Sequence, residues 1–368
     1  MDVRSIISPV VTDREALQEF IEGLIDHTQH IERDIARLRS TPGDRESIAN
    51  LFRAIHNIKG DAALCKVDLA VAIVHPIETI LARFRNTEIL FNDFVAEAIL
   101  LALDRLELTA DGLAAGKPLD SLRLLPLVQG LEKMALAAPA EIDTCASQLI
   151  EAVTGFRPAA AASISTRGNV SSLPIGSKSP LAEDLRFFRS LANQFEARSL
   201  LFKGRTMRIL RLALETNQLA GKKIDPVQLE AAVYMHDIGM MFLPESVWLK
   251  IERMTPAEKL VLHTHTNYAA GILSRMEGWS EAARMVAQHH EMPDGAGYPN
   301  AIKAAEICDG AKVLAIVDAF EAVMLKHIHR GRNRSVLRAI AEVNACDNQF
   351  SPEWIEPFNR VIRRTVEA

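Results

Sequence analysis

The sequence predicts an all-α chain made of two helical domains joined by a segment with no packing face. Three observations carry this. Apolar residues recur three and four apart on both sides of the middle of the chain, no useful length alternates like a strand, and residues 157–180 lose the apolar period altogether. The 368 residues, 48% hydrophobic and 24% charged, are enough for two or three real cores.

The first helix is expected over 14–38, where Leu17, Phe20, Ile21, Leu24, Ile25, Ile31, Ile35 and Leu38 form one stripe and Asp13 stands in front as a cap. Further helices are expected over 45–65, 68–84, 92–113 and 120–135, and residues 10–135 read as the first domain. Residues 136–180 read as partly helical and then a flexible linker. The stretch "FRPAAAASISTRGNVSSLPIGSKSP" (156–180) holds too little apolar side chain to offset chain entropy. Residues 181–368 form the second domain, again helical.

Composition excludes some functions. The longest apolar runs stop far short of the roughly 18 residues that a membrane span needs, and the opening residues show no secretory pattern. Four scattered cysteines with no CxxC pair read as free thiols in a reducing compartment, so a cytoplasmic location is expected. A net charge of -5 argues against general coating of nucleic acid.

In the first domain, "LFRAIHNIKGDAAL" (51–64) turns Leu51, Phe52, Ile55, Ile58 and Ala62 toward a core and leaves His56 and Lys59 together on an adjoining face. Gly60 costs up to roughly 1 kcal/mol against Ala inside a helix. A bare turn beside an imidazole suits a histidine that receives a phosphoryl group from another protein, with Lys59 balancing the charge. An ordinary boundary histidine is the alternative. These residues resemble the histidine phosphotransfer (HPt) domain, a four-helix-bundle type domain, of chemotaxis-type kinases. That family places an acceptor His, a Lys three later and a Gly four later, met here by His56, Lys59 and Gly60. In "HPIETILARFR", His75 and Glu78 fall where the family has a second His and the Glu that orients the acceptor ring. The resemblance covers about 14–115. It implies a separate histidine kinase or response-regulator receiver as partner, because no kinase nucleotide signature appears from 181 onward.

In the second domain, "AAVYMHDIGMMFLPESVW" (231–248) sets His236 and Asp237 in apolar surroundings. An isolated buried carboxylate is costly, so Asp237 needs a strong partner, and a metal ion is one. Seven of the eleven histidines lie between 236 and 329. Mixed imidazole and carboxylate ligands suit iron, manganese or zinc, and a bridging Asp could hold two ions. Histidines satisfied within a core are the alternative.

The ordered set "HDIG" and "HHEMPDGAGYP" (289–299) resembles the HD-GYP family, an all-helical HD-domain fold whose members are metal-dependent phosphodiesterases of cyclic di-GMP. The resemblance implies His236, Asp237, His265, His289, His290 and Asp318 as ligands of two transition-metal ions, iron or manganese, with Asp237 bridging. His236, Asp237 and His290 are the expected catalytic residues, and the products are pGpG and then GMP. It implies a loop of Asp294, Gly295, Gly297, Tyr298 and Pro299 that holds the paired histidines and offers a surface to a GGDEF-type or other signalling partner. Asp294 is expected to orient a histidine.

Departures weaken the expected activity. Met240 stands where the family commonly has a Lys, and Leu201 and Arg205 stand where three-metal members have a Glu and a His. A third ion is therefore not expected. Arg205 is expected to restore some positive charge at the substrate, and Lys326 and Arg330 to form a basic rim that attracts a dinucleotide. The expected function is a metal-dependent cyclic di-GMP phosphodiesterase tied to a phosphorelay. The alternative is a catalytically weak domain acting as a cyclic di-GMP sensor or a relay scaffold.

Overall fold

The structure is a computed structural model that describes residues 13–156, 172, 179–250, 254–325, 335–346 and 349–366. These residues are helical, with no strand among them, in agreement with the all-α expectation. The chain divides into two compact units. One holds the described residues up to Phe156 together with Ile340–Ala345, and the other holds the rest. Most of the linker expected at 157–180 lies outside the described residues.

The first unit contains α1 (Arg14–Ser40), α2 (Arg45–Leu64), α3 (Asp68–Arg85), α4 (Asp93–Ala115), α5 (Leu124–Leu136) and α6 (Ile142–Thr154). Local chemistry sets the starts of three of them. Asp13 accepts from the amides of Glu15 and Ala16, Asp44 from Glu46, and Asn92 from Val95, which satisfies otherwise unpaired donors. Gly116, at φ 64°, ends α4 in the left-handed conformation open to glycine. Helix α1 packs on α2 and α4, α2 on α3, and α3 on α5. Of the stripe expected on α1, Ile25 alone is exposed, at 43%, and the other seven residues are buried. Helix α4 is buried over most of its surface, Glu97, Asp104 and Arg105 included, with α1, α3 and α6 packed on it. Helix α6 buries Ile142, Cys145, Leu149 and Ile150 and packs on α4 and α5. The helical unit therefore reaches past the boundary expected at 135.

The second unit contains α7 (Pro180–Glu196), α8 (Arg205–Leu219), α9 (Pro226–Met235), α10 (Glu245–Trp248), α11 (Pro256–His263), α12 (His265–Leu273), α13 (Ser280–Gln288), α14 (Asp309–Leu325), the part of α15 (Val336–Ala345) up to Ala339, and α16 (Pro352–Val366). Proline at the first helical position behind Ser179, Asp225 or Thr255 starts three of them, and Thr255 with Glu258 completes a reciprocal capping box. Asn217 closes the turn from α8 to α9 by bonding both the carbonyl and the amide of Ile224. Helix α9 packs on α7, α8 and α13 and buries every residue from Leu229 to Met235. The next two residues of the chain, His236 and Asp237, are thereby delivered into the interior.

Core truncation separates buried from exposed positions on the first bundle. Ile58→Ala, at a fully buried site on α2, is expected to cost about 2–5 kcal/mol. Ile25→Ala should change stability by less than about 0.5 kcal/mol. Denaturant midpoints of the two variants check this.

Candidate functional site

On the first unit, His56 sits on the exposed face of α2 and its Nδ1 donates to Glu78 Oε1 on α3 at 2.6 Å. Lys59 Nζ donates to the other oxygen, Glu78 Oε2. Burial works to raise the Glu78 carboxyl, but the hydrogen bonds from Lys59 and His56 outweigh it and hold the group below its ordinary value. An ionised carboxylate only accepts, so Nδ1 carries the proton and Nε2 keeps its lone pair. His75 Nδ1 lies 3.8 Å from Glu78 Oε2, farther out than the other two. A Cβ built on Gly60 meets nothing within 4 Å, so the surface beside His56 is bare. Phe52, expected in the core, is half-buried instead. It stacks on the His56 ring and lies under the Arg85 guanidinium, 4.5 Å from its carbon.

On the second unit, the six residues expected as ligands come from three helix ends and one helix middle. His236 and Asp237 follow α9, His265 opens α12, His289 and His290 follow α13, and Asp318 sits within α14. Their donor atoms form two groups, His265 with His289 and His290, and His236 with Asp237 and Asp318; each group fits within 4.8 Å. His236, His265 and His289 are fixed in the same way. Each Nδ1 donates to the carbonyl three residues earlier, Val233, Leu262 and Val286, at 2.7, 2.6 and 2.7 Å. The Nε2 of all three is buried; that of His265 and that of His289 have no hydrogen-bond partner, whereas that of His236 faces Asp237 Oδ2 at 3.3 Å. Buried nitrogens with free lone pairs and converging directions fit a metal ion. Burial pushes the imidazolium form out, lowering His265, taking His289 well down and bringing His290 to about 4, so this half presents neutral donors.

The carboxylate half differs. Arg205, the first residue of α8, is buried among the expected ligands. Its Nη1 donates to Asp237 Oδ2 at 2.6 Å and its Nη2 to Asp318 Oδ1. The charge expected to meet a substrate phosphate is therefore engaged by the two acidic ligands. Burial works to raise both carboxyls, but His236 and Arg205 hold Asp237, and Arg205 and His236 hold Asp318, far below the ordinary range. Burial opposes a charged His236, yet Asp237 and Asp318 bring it up to about 9. One turn along both helices, Arg208 Nε donates to both oxygens of Glu321 at 3.0 Å, and Glu321 is 1% exposed. Sequence reasoning passed over Arg208 and Glu321. The signal was there: basic and acidic residues recur three apart in "RTMR" and "DAFE".

The loop after His290 is built by backbone contacts. Glu291, buried, accepts from the amides of Asn300 and Ile302, and the Tyr298 amide donates to the His290 carbonyl. Asp294 does not orient a histidine. It is exposed and accepts from the Ala296 amide, closing the turn at Gly295, where φ is 83°. A Cβ on Gly297 would come within 2.5 Å of the His290 carbonyl oxygen. Tyr298 lies between two imidazoles, its ring centre 3.6 Å from His263 and 4.8 Å from His290, and Pro299 follows it across a cis bond. Met240 is half-buried in the short 3-10 turn after Asp237. Lys326 and Arg330 lie outside the described residues.

These two sites define the class: an all-helical protein that joins a bundle bearing an exposed, carboxylate-held histidine to a buried His and Asp cluster suited to metal. Comparison with known proteins agrees. The Hpt domain family matches residues 15–109 and the HD domain family residues 189–352. The Hpt match comes first along the chain and the HD match second, and the HDIG and GYP motifs fall within the HD match. A cyclic di-GMP phosphodiesterase of Thermotoga maritima is 30% identical over 144 residues, 38% of this chain and 39% of that protein. A 3'3'-cGAMP-specific phosphodiesterase of Vibrio cholerae is 29% identical over 147 residues, 38% of this chain and 28% of that one. The chemotaxis protein CheA of Treponema pallidum is 24% identical over 106 residues, 29% of this chain and 13% of that one. The chain thus spans well under half the length of these relatives. No helix among the described residues is long and apolar enough to cross a membrane.

Two glycine substitutions separate packing from access. A Cβ on Gly239 would sit 1.9 Å from the His265 carbonyl oxygen, so Gly239→Ala is expected to displace the start of α12 and reduce metal uptake at least about tenfold, a loss of the size that disturbed ligand support produces. Gly60→Ala, in open space, should leave the fold intact or stabilise it by up to about 1 kcal/mol. Metal-binding isotherms and thermal melts distinguish the two.

Proposed function

We propose that the chain is a metal-dependent phosphodiesterase of a cyclic dinucleotide, cyclic di-GMP in the first place, addressed by a phosphorelay through His56. The observation that carries the hydrolase reading is the set of buried imidazoles with unpartnered Nε2 atoms beside Asp237 and Asp318 in an HD domain. The relatives named for cyclic di-GMP and 3'3'-cGAMP support the substrate class.

His265, His289 and His290 would hold the ion, with Asp237 Oδ1 facing them 3.7 Å from His265 Nε2. A three-imidazole set suits first-row ions, and iron or manganese is the proposed choice. When bound, the ion supplies Lewis-acid activation of the phosphodiester. The protein's own part is orientation and charge. Backbone carbonyls fix the ring of His265 and of His289, Tyr298 packs against His290, and the buried setting excludes bulk water from the donors. The proposed products are pGpG and then GMP. A second reading, a weakly active cyclic di-GMP sensor or relay scaffold, is favoured by Met240 in place of a cation and by the engagement of Arg205 with Asp237 and Asp318.

For the first domain, Glu78 holds the His56 ring so that Nε2 can bond to phosphorus as the donor's phosphorus–oxygen bond breaks, and Lys59 stands beside it to balance the incoming charge. The donor is a separate histidine kinase or receiver domain. A cytoplasmic location suits these partners. The exposed Asp294, Ala296 and Asn300 give the GYP loop a surface for a GGDEF-type or other signalling partner.

Turnover of cyclic di-GMP by the manganese- or iron-loaded chain is expected, and His290→Ala should lower kcat/KM by at least about a hundredfold, the scale of a lost ligand or acid-base group. Binding of the dinucleotide without turnover in either metal would favour the sensor reading. In the relay, acid-labile phosphate is expected on the unaltered chain after incubation with phosphorylated receivers. It should be absent from His56→Gln and strongly reduced in Glu78→Gln, where the neutral amide no longer enforces the Nδ1–H tautomer.

A further inference from the structure

We propose that Arg205 takes the cation position between Asp237 and Asp318, so that this chain holds one metal ion, at His265, His289 and His290, where the ligand set read from the sequence provides for two. The inference rests on the metal-site reading of the proposed function and narrows it.

The two halves of the cluster are in different states. In the three-imidazole half nothing bonds His265 or His289 at Nε2, and both nitrogens are buried. In the other half the acidic groups needed to hold a second ion already share a cation. Asp237 Oδ2 and Asp318 Oδ1 each accept from a different terminal nitrogen of one guanidinium. A guanidinium stays charged at any physiological pH and has no lone pair to offer, so it cannot become a ligand by losing a proton. An ion entering beside it meets a fixed positive charge and must either share the carboxylates or expel the arginine, leaving a buried charge without partners. Arg205 also balances the two carboxylates in part, which removes much of the negative charge that would draw a second dication.

The position of Arg205 is supported from outside the cluster. Arg208 lies one turn farther along α8 and is bonded through Nε and Nη2 to Glu321, one turn farther along α14 from Asp318. Two rungs of like polarity join the helices, so withdrawal of Arg205 would leave its anchored neighbour in place and find no room to slide along the helix. Phe202 lies 5.9 Å from the Arg205 guanidinium carbon and shields it on a further side. Asp237 remains able to serve the single ion because its second oxygen, Oδ1, is the one turned toward His265.

The test is a metal count with a spectroscopic reading on the full chain. The protein is freed of metal, reconstituted anaerobically with manganese(II), cleared of loosely held ions, and examined by elemental analysis and electron paramagnetic resonance. The unaltered chain is expected to hold about one ion with an isolated-ion spectrum. Arg205→His, which adds a donor, and Arg205→Gln, which removes the charge at similar size, are expected to approach two ions with a spin-coupled spectrum. Two ions or a coupled spectrum in the unaltered chain would overturn the proposal without any variant being needed. So would a count that stays at one in both variants while their helical circular dichroism matches the unaltered chain. Loss of all binding in every form would instead overturn the metal-site reading on which this one depends. Turnover of cyclic di-GMP, measured in parallel, bears on the substrate and leaves the count unaffected.

Discussion

A backbone carbonyl three residues earlier decides what His236, His265 and His289 can do. Once Nδ1 is committed to Val233, Leu262 or Val286, the ring can turn neither its tautomer nor its plane, and Nε2 becomes the atom presented to the interior. The constraint works only at a helix end, where such a carbonyl is not needed by the next turn. Helices α9, α11 and α13 all finish at the cluster, and α9 can do so because it is buried on every side. The all-helical architecture and the donor set are therefore one arrangement seen at two scales.

The same residue type does opposite work in the first unit. His56 is also tied at Nδ1, but to the side chain of Glu78 rather than to a main-chain carbonyl, and it stands on an exposed face. A carboxylate partner raises the basicity of the remaining nitrogen, and exposure leaves that nitrogen open to the surroundings. Burial with a neutral partner suits a metal ligand, and exposure with a charged partner suits a nucleophile.

How much could be read in advance depends on the range of each interaction. Helices were legible because their period is local: the stripe on α1 fails only at Ile25, and the start of each helix with a side-chain cap in the first bundle falls close to its capping residue. The convergence of the clustered residues was legible because a rare, ordered set of His and Asp carries more information than any one of them. The role of Arg205 was not, since its partners are 32 and 113 residues away and nothing local marks the pairing. Asp294 misled for the converse reason. A carboxylate near two histidines in sequence turned out to serve the turn, while Glu291, named only as part of a motif, stitches the loop. Residues 136–180 were expected to be partly helical, and the place of α6 within that stretch is set by packing on α4 and α5 rather than by a local signal.

Tyr298 sits between His263 and His290 with its ring almost parallel to that of His263, at 7°. An aromatic ring held rigidly against imidazoles is a chromophore in an asymmetric field, and one of those imidazoles belongs to the donor cluster. A displacement of His290 would therefore press on a ring that also rests on His263, so Tyr298 ties the donor cluster mechanically to the end of α11.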